Sequence, residues 1–243
     1  WRCFSSATNG GAGMLTLEKM RIERGEFSLA ADMTLAPGRS YAVIGPSGSG
    51  KSTLLAAICG FVPVAAGRLS REGEDITEQH PGQRGMTILF QDNNLFPHLT
   101  VRQNVGLGLR PDLRLKAADQ AQIDAALARV GLSDHAAKRP GALSGGQQSR
   151  VALARVLVQA RPWVLLDEPF AALGPALRIE MLDLVQDLAR ETGAGLIMVT
   201  HAPDDVRRIA DEVIFVEGGR AHAPGPAAEL LDNPPPALRA YLG

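Results

Sequence analysis

A glycine-rich loop followed by a lysine and a serine is the segment of this sequence with the clearest potential for chemistry. It consists of Gly45, Pro46, Ser47, Gly48, Ser49, Gly50, Lys51, Ser52 and Thr53. This G-x-x-x-x-G-K-[ST] spacing lets backbone N–H groups cradle phosphate oxygens, with a lysine charge and a serine hydroxyl beside them. An apolar run precedes the loop and a helix-like stretch follows it, so the sequence predicts a phosphate site rather than a plain glycine turn.

Four short apolar runs end at the residues that are suited to this chemistry. The runs cover residues 41–44, 86–90, 163–166 and 196–200, and they lead into the phosphate loop, Gln91, Asp167 and His201 in turn. Continuous apolar runs of this length are typical of strands buried on both faces of a parallel sheet. Ligands of open α/β sheets bind beyond the carboxyl ends of such strands, so we expect a ligand site there.

A second glycine-rich segment lies between the phosphate loop and the acidic pair Asp167 and Glu168. It consists of Leu143, Ser144, Gly145, Gly146 and Gln147. Ser144 precedes a helix-patterned stretch, so the segment is either an ordinary capped helix start or a helix end that also binds an anion. Two phosphate-directed loops on one chain suggest a nucleotide held between two protomers. In this pattern the chain resembles the ABC-type ATPases, and the resemblance covers nearly all of it from Met14 onward.

The resemblance implies a role for each polar residue at a strand end. Asp167 would bind Mg²⁺ through water, with Ser52 and Gln91 as further ligands. Glu168 would be the general base that orients and polarises the attacking water. His201 would contact the γ-phosphate of ATP, and Gln91 would begin the segment that meets a membrane partner. The alternatives are two carboxylates that cap the next turn, a polar residue that ends a strand and a surface histidine.

The resemblance also implies partners and a cellular location. The loop from Ser144 to Gln147 would reach the γ-phosphate held by the opposite subunit of a homodimer, which closes on two ATP molecules and reopens after hydrolysis. The chain shows neither the long coiled coil of repair ATPases nor the duplication of translation-factor ATPases. The implied role is the motor of an importer, peripheral on the cytoplasmic face of the bacterial inner membrane. It would be bound to membrane permease subunits and served indirectly by a periplasmic solute-binding protein.

Composition excludes several other classes of function. The chain has 243 residues, 45% hydrophobic and 21% charged, as is ordinary for a globular protein. Its formal net charge of −1 provides no basic field for nucleic acid. No apolar run approaches the ~20 residues that a membrane span requires. Cys3 and Cys59 lack metal or redox spacing and are interpreted as thiols, and four histidines are interpreted as surface or structural residues: His80, His98, His135 and His222.

The remaining patterns predict an α/β fold of the P-loop NTPase type, with a RecA-like parallel sheet as its core. Alternation over residues 27–35 predicts an antiparallel strand in an N-terminal β part. Helical spacing at 117–130 and 148–159 predicts an inserted helical lobe over about 92–160. Residues 1–13 are interpreted as a disordered or non-native N-terminus, and 14–243 as one ABC ATPase domain.

A finer resemblance concerns the transported solute. Residues 89–96, 98–101, 104–109, 175–178 and 180–182 are similar to the corresponding segments of bacterial thiamine-importer ATPases. Residues 93–99 lie where the family forms a groove for a helix of the membrane subunit, so the likeness bears on the choice of permease. The alternatives are an importer for iron, polyamine or an oxyanion, and a non-transport ABC ATPase with a soluble partner.

Two departures from the family pattern affect the site. The stretch 19–24 has no aromatic residue to stack on adenine, so Arg21 or Arg24 would have to stack and discrimination between ATP and GTP should be weak. After Phe170 the family usually has Ser-Ala-Leu-Asp, whereas this chain has Ala171 and Gly174 at the two polar positions. Closure of the dimer should therefore be weaker.

Overall fold

A computed structural model describes residues 13–242, so all but one residue of the segment 1–13, and Cys3 with it, lie outside the described part. The described chain forms two compact units. We call residues 13–88, 161–168 and 189–242 the sheet unit, and residues 89–160 and 169–188 the helical unit.

Strands and helices are mixed along the described chain, and they alternate one by one from residue 145 to residue 217. The strands are β1 (Leu15–Arg24), β2 (Phe27–Leu35), β3 (Ser40–Ile44), β4 (Ala66–Arg71), β5 (Glu74–Asp75), β6 (Met86–Leu89), β7 (Trp163–Asp167), β8 (Gly195–Val199), β9 (Glu212–Glu217), β10 (Arg220–Ala221) and β11 (Gly225–Pro226). The α-helices are α1 (Lys51–Cys59), α2 (Val101–Gly106), α3 (Ala117–Arg129), α4 (Gly145–Val158), α5 (Pro175–Thr192), α6 (Pro203–Ile209), α7 (Ala227–Asp232) and α8 (Pro236–Leu242). No helix among the described residues is both long and apolar enough to span a bilayer.

The strands form one mixed sheet with a parallel and an antiparallel part. Their order is β5-β4-β1-β2-β10-β9-β3-β8-β7-β6, with β11 paired to β9. The pairs β3/β8, β3/β9 and β7/β8 are parallel. The pairs β1/β2, β1/β4 and β4/β5 are antiparallel. This arrangement agrees with the expected parallel core and the expected N-terminal antiparallel part.

The central strands are apolar throughout because both of their faces are covered. Along β3, Tyr41 and Val43 belong to one core cluster, whereas Ala42 and Ile44 belong to another. The first cluster includes α1, and the second includes residues of α6, α7 and α8. Because successive side chains of a strand point to opposite faces, a strand between two cores needs an unbroken apolar run. The four predicted runs are confirmed as strands, with ends that differ by one residue.

The first strand shows why alternation alone did not reveal it. Leu15 and Leu17 are fully buried, and so are Met20 and Ile22, but the two pairs are out of phase. The register with β2 shifts between Leu17 and Met20, and Lys19 has a φ of +45°. A β-bulge of this kind inserts a residue and resets the alternation. The sequence pattern therefore reads as irregular although one strand runs through it.

The helix that follows the phosphate loop, α1, is capped at its C-terminus by Gly60. Its φ is +88°, and its backbone N–H donates to the carbonyls of the last turn. The buried side chain of Arg84 donates to the carbonyl oxygens of Ala57, which also accepts from Gly60, and of Ile58. Burial raises the pKa of Cys59 to about 12, which agrees with an inert buried thiol.

The helical unit has its own apolar core. This core includes Val101, Val105, Ile123, Leu127 and Val151 from α2, α3 and α4. The helices predicted at 117–130 and 148–159 correspond to α3 and α4, and α4 begins three residues earlier than predicted. The unit also takes in residues 169–188, which no sequence pattern assigned to it.

Candidate functional site

The phosphate loop joins β3 to α1 and depends on glycine where its backbone passes close to other atoms. Gly45 has a φ of +151°, and a Cβ there would lie 2.0 Å from the carbonyl oxygen of Val216. Gly50 has a φ of +101°, and a Cβ there would lie 2.4 Å from Cζ of Phe27. No other residue fits either position without a backbone shift. The loop is therefore fixed against β9 and β2.

Lys51 is the buried cation of the loop. It is 5% exposed, and its Nζ donates to the carbonyl oxygens of Gly45 and Pro46, each at 2.8 Å. Burial lowers the pKa of Lys51, whereas the carboxylates of Glu168 and Asp167 raise it. An ammonium held in this way is ready to exchange carbonyl oxygens for phosphate oxygens.

Another buried polar atom of the loop, unlike Nζ of Lys51, lacks a partner among the described residues. Oγ of Ser49 is buried, and no hydrogen-bond partner for it exists among the described residues. A buried hydroxyl without a partner costs free energy, so a ligand oxygen would stabilise it. Together with the glycine cradle, this unpaired hydroxyl fits a bound phosphate.

Ser52 and Asp167 form a pair of oxygen donors at the start of α1. Oγ of Ser52 donates to Oδ1 of Asp167 over 2.9 Å. Burial raises the pKa of Asp167, and the hydrogen bond from Ser52 lowers it. Among residues 13–242 no cluster of three or more His, Cys, Asp or Glu side chains could hold a metal ion. A Mg²⁺ ion here would need phosphate oxygens and water to complete its shell, as is usual for this ion.

Glu168 and His201 meet at the ends of two neighbouring strands. Nε2 of His201 lies 2.5 Å from Oε1 of Glu168, and the two side chains are 44% and 20% exposed. Glu168 has a φ of +47°, and its backbone N–H donates to the carbonyl oxygen of Val199 over 3.2 Å. A positive φ is strained for a residue with a side chain, and strain of this kind concentrates at functional sites.

The second glycine-rich segment begins α4 in the helical unit. Ser144 is the N-cap: its hydroxyl accepts from the backbone N–H of Gln147, whose side chain in turn accepts from the Ser144 backbone N–H. This capping box confirms the predicted helix start. Nothing lies within 4 Å of the position that a Cβ of Gly145 would take. His135, interpreted as structural, lies with Nε2 3.2 Å from Nε2 of Gln147.

The predicted site residues thus divide between the two units. The sheet unit brings together the phosphate loop with Thr53, Asp167, Glu168 and His201. Gln91 follows β6 in the helical unit, which also carries the segment from Ser144 to Gln147. The roles assigned to these residues remain predictions.

A cleft beside the phosphate loop contains an aromatic residue that the sequence analysis missed. The cleft has a volume of about 530 Å³ and is lined by Glu26, Phe27, Ser28, Pro46, Ser47, Gly48, Ser49, Glu217, Gly218 and Gly219. Neither Arg21 nor Arg24 lines it. Phe27 was interpreted only as the first residue of an alternating strand, and nothing local distinguishes it from a core residue. Its proximity to the loop arises from tertiary packing, which places the start of β2 beside Gly50.

Comparison with known proteins gives consistent matches along the chain. Residues 30–171 match the protein family described as ABC transporter. The thiamine import ATP-binding protein ThiQ of Cereibacter sphaeroides is 59% identical over 230 residues, which are 95% of this chain and 100% of that protein. The protein of the same name from Ruegeria sp. (strain TM1040) is 57% identical over 230 residues, with the same two coverages of 95% and 100%.

Solved structures give the same result for the fold. MJ1267, an ATP-binding cassette of an ABC transporter, has a TM-score of 0.84 at 26% identity and covers 95% of this chain and 99% of its own. The cbiO1 protein of Clostridium perfringens, part of the ABC transporter complex cbiONQ, has a TM-score of 0.80 at 29% identity, with coverages of 91% and 92%. The fold class expected from the sequence is confirmed.

Proposed function

The chain belongs to the ABC transporter family, and we propose that it is the ATP-hydrolysing motor subunit of a bacterial thiamine importer. The observation that carries the proposal is the similarity, over nearly the whole chain, to proteins named thiamine import ATP-binding proteins. ATP is the nucleotide that this family binds. The resemblance found in the sequence is confirmed, both for the family and for its thiamine-importing members.

The sheet unit binds the phosphates of ATP. Lys51 exchanges its contacts with the loop carbonyls for the β- and γ-phosphate oxygens, and backbone N–H groups of the loop bind the remaining oxygens. Oγ of Ser49, which is buried without a partner, gains one. The adenine base occupies the adjacent cleft, where the ring of Phe27 offers a stacking surface.

Ser52 and Asp167 hold Mg²⁺, with Gln91 as the third protein ligand. The hydrogen bond between the first two already places two hard oxygen donors side by side, which suits this ion. When bound, Mg²⁺ neutralises charge that develops on the transferred phosphoryl group. Because only one of the three ligands is ionised, the phosphates of ATP supply the other charges that hold the ion.

Glu168 is the general base for hydrolysis, and His201 is its neighbour at the γ-phosphate. The carboxylate orients the attacking water and accepts its proton. The strained backbone of Glu168 and the hydrogen bond from its backbone N–H to the Val199 carbonyl hold the residue in place before substrate arrives. The imidazole Nε2, 2.5 Å from the carboxylate, donates to the γ-phosphate once ATP is bound.

Two copies of the chain form a homodimer, and each contributes its Ser144–Gln147 segment to the ATP of the other. Ser144 and Gly145 are exposed, so a second copy has access to the start of α4. The helix N-terminus there favours an anion. The dimer binds permease subunits on the cytoplasmic face of the inner membrane, with a periplasmic solute-binding protein as their indirect partner.

Uptake by cells tests the proposed solute. Deletion of the gene should abolish high-affinity uptake of thiamine and leave uptake of iron and polyamine intact. A plasmid copy of the wild type should restore thiamine uptake, and Lys51→Ala should not, because phosphate binding is lost. Lys138→Ala is the matched control, since Lys138 is exposed and lies away from the phosphate loop in the chain.

Two results would contradict the proposal in different ways. Loss of iron or polyamine uptake with normal thiamine uptake would refute thiamine as the solute. It would leave the proposed ATPase activity intact. Full restoration of uptake by Lys51→Ala would show that uptake does not require Lys51 of the phosphate loop.

A further inference from the structure

A tyrosine on α8 lies at the histidine of the phosphate site. The hydroxyl of Tyr241 is 3.5 Å from Nδ1 of His201. The other nitrogen of the same ring, Nε2, is 2.5 Å from Oε1 of Glu168. The three side chains therefore form a line that leads from α8 through the imidazole to the carboxylate.

The hydrogen-bonding capacity of each group determines where the protons lie. An ionised carboxylate only accepts, so Nε2 of His201 carries the proton that faces Glu168. In the tautomer that carries its proton on Nε2, Nδ1 is an acceptor, and the phenol of Tyr241 is the donor that faces it. Burial raises the pKa of Tyr241, which keeps the phenol protonated at neutral pH, although a backbone hydrogen bond at Gly45 acts in the opposite direction.

Core packing fixes the position of the Tyr241 hydroxyl. The ring of Tyr241 lies against Phe215 on β9, with centroids 6.2 Å apart and planes at 46°. Leu238, one turn earlier on α8, is fully buried in the same apolar cluster. His201 is held less firmly, because its side chain is 44% exposed and the outer torsion of histidine is broad. The hydroxyl of a ring packed against the core thus meets a partly exposed imidazole.

We infer that Tyr241 is a positioning residue that holds the His201 ring with its Nε2 proton directed at Glu168 and the γ-phosphate. Neither the sequence pattern nor the names of the relatives assign Tyr241 a role. The inference rests on the proposed ATPase function, since it concerns the same histidine. It gives a role to the hydroxyl that α8 places beside His201, while Leu238 of the same helix is buried in the core.

Tyr241→Phe tests the inference, because it keeps the ring against Phe215 and removes only the hydroxyl. We expect kcat for ATP hydrolysis to fall about 2- to 10-fold, the value of one hydrogen bond, with KM for ATP unchanged. In ¹⁵N-histidine NMR of the nucleotide-free protein, the Nδ1 resonance of His201 should shift, because this nitrogen loses its donor. The His201→Gln spectrum assigns that resonance. An unchanged resonance or an unchanged kcat overturns the inference.

Tyr41→Phe is the matched control, since the chain has two tyrosines and Tyr41 is the other one. Its hydroxyl accepts from the backbone N–H of Ala36 over 2.7 Å, so its loss should lower stability and leave the His201 resonance in place. In a His201→Ala background, Tyr241→Phe should not change kcat further, and an equal fall there overturns the inference. A wild-type protein that does not hydrolyse ATP would refute the proposed function, whereas the NMR comparison would still decide the contact of Tyr241 with His201.

Discussion

The phosphate site and the start of α4 are built in different ways. In the sheet unit, Ser52 and Asp167 are 115 residues apart in sequence and meet because β3, β7 and β8 are neighbours. At the start of α4, Ser144 and Gln147 cap one turn of one helix with each other. The first arrangement depends on the whole core, whereas the second is complete within four residues. Changes in the first should alter binding and chemistry in a single subunit, and changes in the second should alter the pairing of subunits.

The two regions also differ in the strain and burial that they tolerate. The phosphate site contains a buried ammonium, a carboxylate with a raised pKa and a glutamate with positive φ. The α4 start contains a satisfied cap and two exposed residues, Ser144 and Gly145. Functional sites commonly contain strained backbone and buried charged groups like those of the phosphate site. The rest of the fold offsets the free-energy cost of these groups.

A change at Phe27 should separate the two regions through its effect on ATP binding. Loss of a stacking ring in Phe27→Ala should weaken ATP binding about 10- to 100-fold, because stacking on a base contributes ~1–3 kcal/mol. Isothermal titration of the isolated subunit measures this, and Phe27→Tyr, which keeps a ring, is the control. Equal ATP affinity in wild type and Phe27→Ala would place the adenine elsewhere. A competition between ATP and GTP then shows whether Phe27 also sets the choice of base.

A change in the helical unit should act on the pair of subunits alone. Gly174→Asp restores a carboxylate where nothing lies within 4 Å of the added Cβ, so the side chain fits. One charge-assisted hydrogen bond contributes ~1.5–3 kcal/mol, which should tighten the ATP-bound dimer at least about tenfold. Light scattering in a Glu168→Gln background measures the dimer, and Gly174→Ala controls for the backbone. A changed ATP affinity of the monomer, or an unchanged stability of the dimer, would contradict the claim that this position acts only on the pairing of subunits.

Ser144→Ala should loosen the start of α4 without touching ATP binding in one subunit. Loss of the N-cap costs about 1 kcal/mol, which corresponds to a fall in Tm of ~2–4 °C in a chain of this size. Ser133→Ala is the control, because Ser133 is exposed and caps no helix. Thermal unfolding and nucleotide titration together test this. A weaker ATP affinity of the monomer would show that the α4 start acts within its own subunit.

The smallest effect is expected on stability at Asp167. Its folded pKa is raised by burial, so ionisation disfavours the folded state as pH rises from the unfolded value of ~3.9 through the folded one. Asp167→Asn removes that ionisation and should raise Tm at pH 7 by a few degrees at most, given ~2–4 °C per kcal/mol. The gain should vanish at pH values below the unfolded pKa. Thermal scans across pH check the sign, and a variant less stable at pH 7 would contradict it.

Sequence patterns predicted the parts of the molecule that depend on local or periodic rules. The run before the phosphate loop is a strand whose side chains enter a different core on each face, which requires unbroken apolar residues. The cap at Ser144 follows from the side chains of one helical turn. Strand β1 could not be predicted from periodicity, since the one residue added at its bulge reverses the phase of the apolar–polar alternation.

Phe27 and Tyr241 show what sequence patterns could not predict. Each lies beside the phosphate loop or His201 only through tertiary packing, Phe27 through β2 and Tyr241 through the contact of α8 with β9. Neither residue belongs to a sequence motif. In the sequence, a single aromatic residue among apolar residues looks the same as a residue of the hydrophobic core. Only the positions of the strands and helices in space show what these rings face.

Glu168→Gln is the most direct test of the account, because it removes one proton acceptor and keeps the shape of the site. Glu229→Gln, at an exposed position on α7, is its control. We expect ATP affinity to be kept, hydrolysis to fall at least about 100-fold through loss of the base, and ATP-loaded dimer to accumulate. Single-turnover hydrolysis with parallel light scattering measures all three. Hydrolysis near the wild-type rate in Glu168→Gln would contradict the assignment of Glu168 and the mechanism built on it.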